Sequence, residues 1–314
     1  MKLRIVEGWR GLDPELKGSA LALGAFDGVH RGHQEVIALA ARAAAALGAP
    51  LGVVTFEPHP RRWFRPDEPL FRLTTLDQQA QVLDALGVDR LHRIPFDAEL
   101  AAMGDEAFAR EVLGEGLGAR HVAAGFDISF GKGRTGSPDL LRRYGQRYGF
   151  GVTIAEAVEG EGGKLSSTAV RTALRDGAPD RAAAILGRPF SLEGVVVHGD
   201  KLGRTIGFPT ANIPLGDYVR VRHGIYATRT RLADGREVAG VAYVGRRPTI
   251  ENACEERLEV HLFDFDEDLY GQTLETDLVA FLRPDEKFDG LEAMTEQMER
   301  DKAQARALLL PELG

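Results

Sequence analysis

The sequence predicts an α/β doubly wound parallel sheet followed by a small antiparallel β-barrel domain with a C-terminal helix. Three observations predict it. Over the first 186 residues, short apolar runs alternate with stretches of helical spacing, the pattern of parallel strands joined by crossover helices. After Gly187-Arg188-Pro189 the chain changes to short β-type segments divided by Gly and Pro turns. From Gly290 to Leu310 a charged amphipathic pattern ends it as a helix. At 314 residues the chain exceeds the size at which one hydrophobic core usually keeps growing, so two domains are expected, 1–186 and 187–314.

In the first domain the expected strands are Ala20–Phe26, Leu51–Phe56, Arg90–Ile94, His121–Ala124 and Val152–Glu156. Helices are expected between them at Gln34–Leu47, Thr75–Leu86, Glu106–Leu113 and Pro138–Tyr148, and a last helical stretch runs from Thr168 to Leu186. In the second domain the β segments are Leu192–Val197, Gly224–Leu232, Val238–Val244, Leu258–Asp264 and Thr273–Leu282, with Asp234-Gly235 as a hairpin turn.

Composition narrows the class. Apolar residues make up 44% and charged residues 27%, ordinary globular values that argue against disorder, collagen-like repeats and a membrane protein. The longest apolar stretches, such as Ala38–Leu47 with its Arg42, are too short or too interrupted to span a bilayer. Met1-Lys2-Leu3-Arg4 leads straight into charged sequence and does not read as a signal peptide. Cys254 is the only cysteine, which rules out an intramolecular disulfide and fits a reducing cytoplasm. A formal charge of -8 disfavours a general nucleic-acid binder, which needs a dense basic face, although local donors and a metal ion can still hold phosphates.

The strongest local signal is Gly24-Ala25-Phe26-Asp27-Gly28-Val29-His30-Arg31-Gly32-His33, between an apolar strand and an Ala-rich helix. A strand ending in a glycine-containing turn before a helix aims backbone N–H groups and the positive helix end at an anion. His30 and His33 either cap that turn or offer N–H groups to phosphate oxygens as charge builds during phosphoryl transfer, and the strand-turn-helix setting favours the second. Gly32 leaves room for a nucleotide to approach the backbone. Zinc is disfavoured, because no further Cys or His pair has suitable spacing. A second cluster, Leu165-Ser166-Ser167-Thr168-Ala169-Val170-Arg171, reads as a helix cap or as hydroxyls and a guanidinium turned towards phosphate. A third, the Gly-rich basic loop Gly125–Gly136, is either a solvent loop or a cover for ATP phosphates.

Together these pieces resemble the N-terminal module of the prokaryotic bifunctional riboflavin kinase/FAD synthetase family, within the H-x-G-H nucleotidyltransferase superfamily. The family's G-x-F-D-G-V-H-x-G-H falls at Gly24–His33, its G-x-D-x-x-F-G at Gly125–Gly131 and its S-S-T-x-[VI]-R at Ser166–Arg171. The resemblance implies that His30 and His33 contact ATP phosphates, with Gly24, Phe26, Asp27 and Gly32 around them. It further implies that Ser167, Thr168 and Arg171 complete the nucleotide site and that Asp127 lies beside the reacting phosphates or the metal ion. Thr55-Phe56-Glu57-Pro58-His59-Pro60 resembles a family segment on the flavin side of the cleft, which implicates Phe56 and Pro58. Leu165 replaces the usual Ile, and Ile128-Ser129 replaces a more aromatic or basic pair.

The second domain carries its own signature in His198-Gly199-Asp200-Lys201-Leu202-Gly203-Arg204-Thr205-Ile206-Gly207-Phe208-Pro209-Thr210-Ala211-Asn212. Spaced glycines permit close approach to phosphate, and Thr210 with Asn212 supplies uncharged oxygen ligands suited to magnesium. The run lacks the Lys-Ser/Thr ending of a Walker A loop. It resembles the riboflavin kinase signature G-x-x-x-G-R-x-[LIT]-G-[FY]-P-T-A-N. The resemblance implies that Thr210 and Asn212 hold Mg-ATP, with Gly199, Lys201, Gly203, Gly207 and Pro209 in a flap over the phosphates and Phe208 near the flavin. Gly245-Arg246-Arg247-Pro248-Thr249 and Arg257–Phe265 continue the match, and the family's E-[VTS]-H-[LIV] implies that Glu259 is the catalytic base. Asp268-Leu269-Tyr270-Gly271 resembles a further family turn with no assigned chemistry.

The resemblance covers nearly the whole chain and implies a bifunctional, cytoplasmic transferase of flavin-cofactor synthesis. Riboflavin plus Mg-ATP gives FMN, and FMN plus Mg-ATP gives FAD and pyrophosphate; riboflavin, FMN, FAD and ATP are its partners, with neither nucleic acid nor membrane. Two rivals differ in class. A different adenylyltransferase with an accessory β domain is opposed by Phe208-Pro209-Thr210-Ala211-Asn212, and a flavin-binding regulator without turnover is opposed by the intact His30, His33, Arg171 and Glu259.

Overall fold

The computed structural model describes residues 2–69, 71–160, 163–199, 203, 206–248 and 254–309. Lys201 and Thr249 lie outside them. The chain packs as two compact units, one of residues 1–69 and 76–166, the other of residues 70–75 and 167–314.

The first unit is built on a six-stranded, wholly parallel sheet. Its strands are β1 (Arg4–Glu7), β2 (Ala20–Leu23), β3 (Leu51–Glu57), β4 (Arg90–Pro95), β5 (His121–Gly125) and β6 (Gly151–Ala155), in the order β1-β4-β3-β2-β5-β6. Alternate residues of each strand point to opposite faces. Ala20, Ala22, Val53, Leu91 and Ala123 face α1 (Arg31–Leu47) and α3 (Leu76–Ala85). Leu21, Leu23, Val54, Ile94 and Val122 face the layer around Phe108, Val112, Leu113 and Leu141. That layer includes α6 (Pro138–Tyr148), capped by Ser137, whose hydroxyl accepts from the Leu140 amide, and stopped by Gly149 at φ 82°. Short helices α2 (Pro60–Phe64), α4 (Ala98–Ala102) and α5 (Asp105–Ala107), the last running on as a π-helical segment Phe108–Gly116, complete the layers. A small hairpin of β7 (Glu159–Gly160) and β8 (Gly163–Lys164) ends the unit.

The second unit contains a six-stranded antiparallel sheet in the order β10-β13-β12-β11-β14-β9. The strands are β9 (Phe190–Val195), β10 (Ala211–Pro214), β11 (Gly224–Arg231), β12 (Glu237–Pro248), β13 (Cys254–Leu262) and β14 (Thr273–Arg283). The sheet curls into a barrel that the Val197 amide closes by donating to the Asn212 carbonyl at 2.9 Å. Leu192, Ile213, Tyr226, Leu258, Val260, Leu274 and Leu278 are buried in it. Outside, the terminal helix α9 (Leu291–Leu309) sets Ala305 and Leu309 on Ala227 and Phe263, and Arg283 donates to both carboxylate oxygens of buried Asp301. Helices α7 (Ser167–Arg175) and α8 (Pro179–Leu186) belong to this unit, α8 packing on β9 and β14. Residues 71–75 join it too, with the Arg72 amide donating to the Asp217 carbonyl and the Arg72 carbonyl accepting from the Val219 amide.

The structure departs from the sequence reading in several places. The strand expected over Ala20–Phe26 stops at Leu23, because Phe26 sits at φ 51° and cannot continue an extended chain. The helix expected from Thr168 to Leu186 is two helices, broken at Gly177 with φ 75° and restarted by Pro179. Strands β1 and β10 were not anticipated.

One core residue couples the first sheet to pH. His92 on β4, between Val6 and Val54 of its neighbours, is 0% exposed, and neither ring nitrogen has a hydrogen-bond partner among the described residues. Burial, helped by the positive charge of Arg90, lowers its pKa from 6.5 to about 4. The folded state thus resists a proton that the unfolded chain accepts. Stability is complete above pH 6.5 and falls by about 3 kcal/mol as pH drops towards 4. Urea unfolding of wild type and His92→Leu at pH 7 and pH 4.5 checks this; the variant should lose markedly less stability on acidification, and equal losses would refute it.

Candidate functional site

In the first unit, β2 is the strand at which the winding reverses: the chain proceeds to β3 on one side and reaches β5 on the other. Ligands of open α/β sheets bind outside the carboxyl ends of the strands at such a point. Gly24–His33 follows β2, and Gly125–Gly136 follows the adjacent β5.

The first of these loops is strained. Phe26 and Val29 hold φ of 51° and 41°, and Gly28 takes φ 81° where only glycine is comfortable. Side chains from neighbouring elements fix it. The Gln79 amide on α3 donates to the carbonyls of Ala25 and Phe26, both at 3.1 Å, and the Thr55 hydroxyl on β3 donates to the Ala25 carbonyl at 2.9 Å. His30 is the N-cap of α1, its Nδ1 accepting from the His33 amide at 3.3 Å. That bond leaves the proton of a neutral His30 ring on Nε2, as a donor. The His30 and His33 rings stack with centroids 3.6 Å apart, and Phe26 meets His33 edge-on at 5.1 Å. Capping and anion binding are therefore compatible roles for His30, since they use different nitrogens.

Two expectations change here. A Cβ at Gly32 would stand 3.1 Å from the His30 ring and from the Leu165 carbonyl, so the missing side chain makes room for the protein's own histidine. Phe26 is 1% exposed and serves as a wedge under His33. Asp27 is buried as well.

The loop after β5 is tied down rather than loose. Phe130 and Gly136 form a β-bridge, the Lys132 amide donates to the Met103 carbonyl at 2.7 Å, and the Asp105 carboxylate accepts from Thr135 and Tyr144. Burial foremost, then that hydrogen bond to Asp105, raises the Tyr144 phenol to about 12. At the loop's start Asp127 pairs with Lys164 at 2.7 Å, and the same ammonium lies 4.4 Å from the centre of the exposed Phe126 ring. After β3, Phe56 packs edge-on against Phe96, which also meets Trp63 and Phe64. Trp63 and Phe64 are 39% and 64% exposed, so this aromatic group presents a face that planar ligands can use, with Pro58 exposed beside it in sequence.

Ser167, Thr168 and Arg171 begin α7 in the second unit. There Arg171 is 7% exposed, its Nε donates to the Phe71 carbonyl at 2.8 Å and its guanidinium lies over the Phe71 ring.

The kinase-like motif converges on β10 and β13. Their register sets Asn212 directly opposite Glu259, and paired residues share one face. His261, two residues further along that face, bonds through Nδ1 to the Pro209 carbonyl at 2.9 Å and so holds the turn that carries Thr210. Burial depresses the pKa of His261, keeping it neutral as the donor of that bond. A Cβ at Gly199 would come within 2.5 Å of the Asn212 amide, which explains glycine there. Gly203 accepts from the Phe208 amide at 2.8 Å, and a Cβ on it would strike the Phe208 carbonyl. Gly207 turns at φ 84°. Phe208, expected near the flavin, is 2% exposed and packs on His261, so its ring is a core element of the barrel.

A cavity of about 400 Å³ opens beside Thr210, lined by Pro209, Ala211, Val260, Asp268 and Tyr270 among others. Asp268, Leu269 and Tyr270 of the Asp268–Gly271 turn thereby gain a place beside Thr210, and the His198 ring lies 3.9 Å from the Tyr270 ring, tilted by 41°. Gln79, Thr55, Lys164, Trp63, Phe64 and His261 were likewise missed as site residues. The one usable signal was Gln79, a polar residue on the buried face of an amphipathic helix.

Among the described residues no three His, Cys, Asp or Glu side chains cluster as a metal site. Thr210 lines the cavity and Asn212 lies two residues on, against bare backbone at Gly199; their uncharged oxygens are a donor set that fits magnesium carried in with nucleotide phosphates.

A family model for FAD synthetase matches residues 12–169, and one for riboflavin kinase matches residues 186–309. The bifunctional riboflavin kinase/FMN adenylyltransferase of Pseudomonas fluorescens is 40% identical over 309 residues, covering 98% of this chain and 99% of that protein. The protein of the same name from Bacillus subtilis (strain 168) is 37% identical over 295 residues, covering 91% of each chain. The crystal structure of a macrolide-efflux protein from Streptococcus pneumoniae aligns with a TM-score of 0.87 at 30% identity, covering 98% of this chain and 99% of that one. No helix among the described residues here is long and apolar enough to cross a membrane.

Gln79→Leu should remove one of the two donors on each of the Ala25 and Phe26 carbonyls, leaving the Thr55 hydroxyl and the Val29 amide, and destabilise the first unit by about 1–3 kcal/mol. Hydrogen exchange checks it: the amides of Val29 and His33 should exchange faster while those of β11 and β14 do not. Unchanged protection at Val29 and His33 would show that Gln79 does not hold the turn.

Proposed function

The chain belongs to the bifunctional riboflavin kinase/FMN adenylyltransferase family, and from that premise we propose that it makes both flavin cofactors in sequence. Residues 187–314 phosphorylate riboflavin to FMN, and residues 1–186 join FMN to the adenylyl group of ATP, giving FAD and pyrophosphate. One observation carries this reading. Gly24–His33 and Gly125–Gly136 follow the strands at the switch point of a parallel sheet, and Thr210, next to the strand that pairs Asn212 with Glu259, lines a cavity of the barrel.

In the kinase reaction, Glu259 accepts the proton of the ribityl 5′-hydroxyl as that oxygen attacks the γ-phosphorus of ATP. ADP departs, and FMN keeps the phosphoryl group. Asn212, opposite Glu259 in register, and Thr210, on the turn that His261 holds, sit where nucleotide phosphates and magnesium are received. Thr210 and Asn212 would hold magnesium through their oxygens, and the ion would supply neutralising charge to those phosphates. The glycines at 199, 203 and 207 admit them close to the backbone, with Lys201 as a further donor.

In the adenylylation, a phosphate oxygen of FMN attacks the α-phosphorus of ATP and pyrophosphate leaves. His30, through its Nε2 proton, and His33 donate to phosphate oxygens whose charge grows in the transition state, and the N-terminus of α1 adds its partial positive charge. Gly24, Phe26, Asp27 and Gly32 shape the turn that aims them. The aromatic group at the end of β3 supports the flavin ring. Asp127, paired with Lys164 in the free chain, would be a carboxylate available to a metal ion that came in with the nucleotide. Positioning and electrostatics suffice for both transfers, without a covalent enzyme intermediate. A reducing, ATP-rich cytoplasm suits both reactions and the single cysteine.

Incubation of the purified chain with riboflavin, ATP and magnesium, followed by chromatography, should yield FMN and then FAD; absence of both would overturn the reading. Glu259→Gln should lower FMN formation by about 10²- to 10⁴-fold while FAD still forms from supplied FMN. The double variant His30→Ala, His33→Ala should do the reverse. Loss of both activities together in either variant would contradict separate sites.

A further inference from the structure

The barrel face that carries Glu259 holds another side chain to which the motifs assign no part. Tyr243 on β12 pairs in register with Glu259, whose other neighbour is Asn212, so the three form one row across β10, β13 and β12. On either side of Tyr243 in sequence, Ala242 and Val244 are 1% and 0% exposed and line the barrel interior; Tyr243 points the other way. Two residues on, Gly245 shares its face. A Cβ built on Gly245 would fall within the phenol itself, 2.6 Å from Cε1 and nearer still to Cζ and Oη. The ring therefore lies down along the strand over bare backbone instead of standing up from the sheet, as strand side chains usually do.

This geometry makes a shelf. One face of the ring rests on Gly245, and because the residue is only half-buried, a flat ligand can reach the other. Two residues of strand carry the ring roughly 6–7 Å from the row that holds Glu259. Burial first, then the negative charges of Asp285 and Glu259, raise the phenol's pKa and keep it neutral. Riboflavin has a matching shape, a planar fused ring joined to its reacting hydroxyl by an extended ribityl chain. We propose that Tyr243, laid flat by Gly245, orients the isoalloxazine ring of riboflavin in the kinase site, one ribityl chain away from Glu259. The proposal rests on the reading of Glu259 as the kinase base and adds the residue that determines how the substrate's ring lies.

Steady-state kinetics of the full chain test it, with KM and kcat measured separately for riboflavin and ATP. Tyr243→Ala should raise the KM for riboflavin by about tenfold, the upper range for an aromatic pair, with the KM for ATP and the conversion of supplied FMN to FAD unmoved. Tyr243→Phe should restore the low KM, because stacking needs the ring and not the hydroxyl. Riboflavin bound in the presence of ADP should fluoresce more brightly in both Tyr243→Ala and Tyr243→Phe than in the wild-type chain, because a stacked phenol quenches an excited flavin by donating an electron and a phenyl ring does not. If Tyr243→Ala makes no FMN at all, recovery in Tyr243→Phe upholds the proposal and failure to recover refutes it. An unmoved KM for riboflavin, or equal rises for both substrates, also refutes it. A wild-type chain that makes no FMN removes the kinase reading itself; one that makes FMN, and loses it in Glu259→Gln while Tyr243→Ala keeps its KM, removes this proposal alone.

Discussion

Everything in the first unit that bears on chemistry hangs on one unfavourable stretch of backbone. The chain leaves β2 at Leu23 and must enter α1 at Arg31 through a turn in which two non-glycine residues adopt left-handed conformations. Each such residue costs about 1–3 kcal/mol, so the turn persists only because its surroundings over-determine it. Gln79 and Thr55 saturate the Ala25 and Phe26 carbonyls from two different elements, while Phe26 is driven into the core. The consequence is geometric: the helix starts at a fixed angle, His30 becomes its cap, and His33 stacks on it. A histidine pair aimed by a rigid, strained turn keeps its orientation before any ligand arrives, which is what electrostatic preorganisation requires.

The second unit solves the same problem by closure. Asn212 is both the residue whose carbonyl receives the Val197 amide to close the barrel and the residue that faces Glu259. Loosening the seam would therefore also loosen the site. His261 extends the arrangement, since its buried ring ties the Pro209 carbonyl to β13 and so places Thr210. Thr210 and Asn212 are thus held at the seam of a small barrel, Asn212 on β10 itself and Thr210 on the turn that leads into it.

Sequence reading found what is periodic or chemically unusual and missed what is local or long-range. The order of parallel strands and crossover helices was legible because alternating Ala and Leu in β2, and the apolar stripes of α1 and α3, report their burial directly. Strand β1 was not, since four residues with one buried carry no period. The break at Gly177 was readable in retrospect from Gly177-Ala178-Pro179, but helical composition on both sides masked it. Phe208 was assigned to a ligand by its place in a motif, whereas the structure gives its ring to the core. Gln79 and Lys164 lie far in sequence from the residues they hold, and nothing short of the fold brings them there.

An acidic chain that handles polyanions needs its positive potential to be local. A formal charge of -8 disfavours a broad basic surface. Even where basic residues gather they are compensated: Arg220, Arg246 and His223 all turn onto the buried carboxylate of Glu256. What the two candidate sites offer to phosphate is mostly neutral or partial charge, in the form of a helix N-terminus, two stacked imidazoles and glycine backbone. Such donors act over a few ångströms and fade quickly beyond, so they favour a triphosphate seated correctly and give little to one merely nearby. Specificity for a small phosphorylated ligand then follows from the backbone geometry at the two sites, because that geometry supplies most of the positive potential.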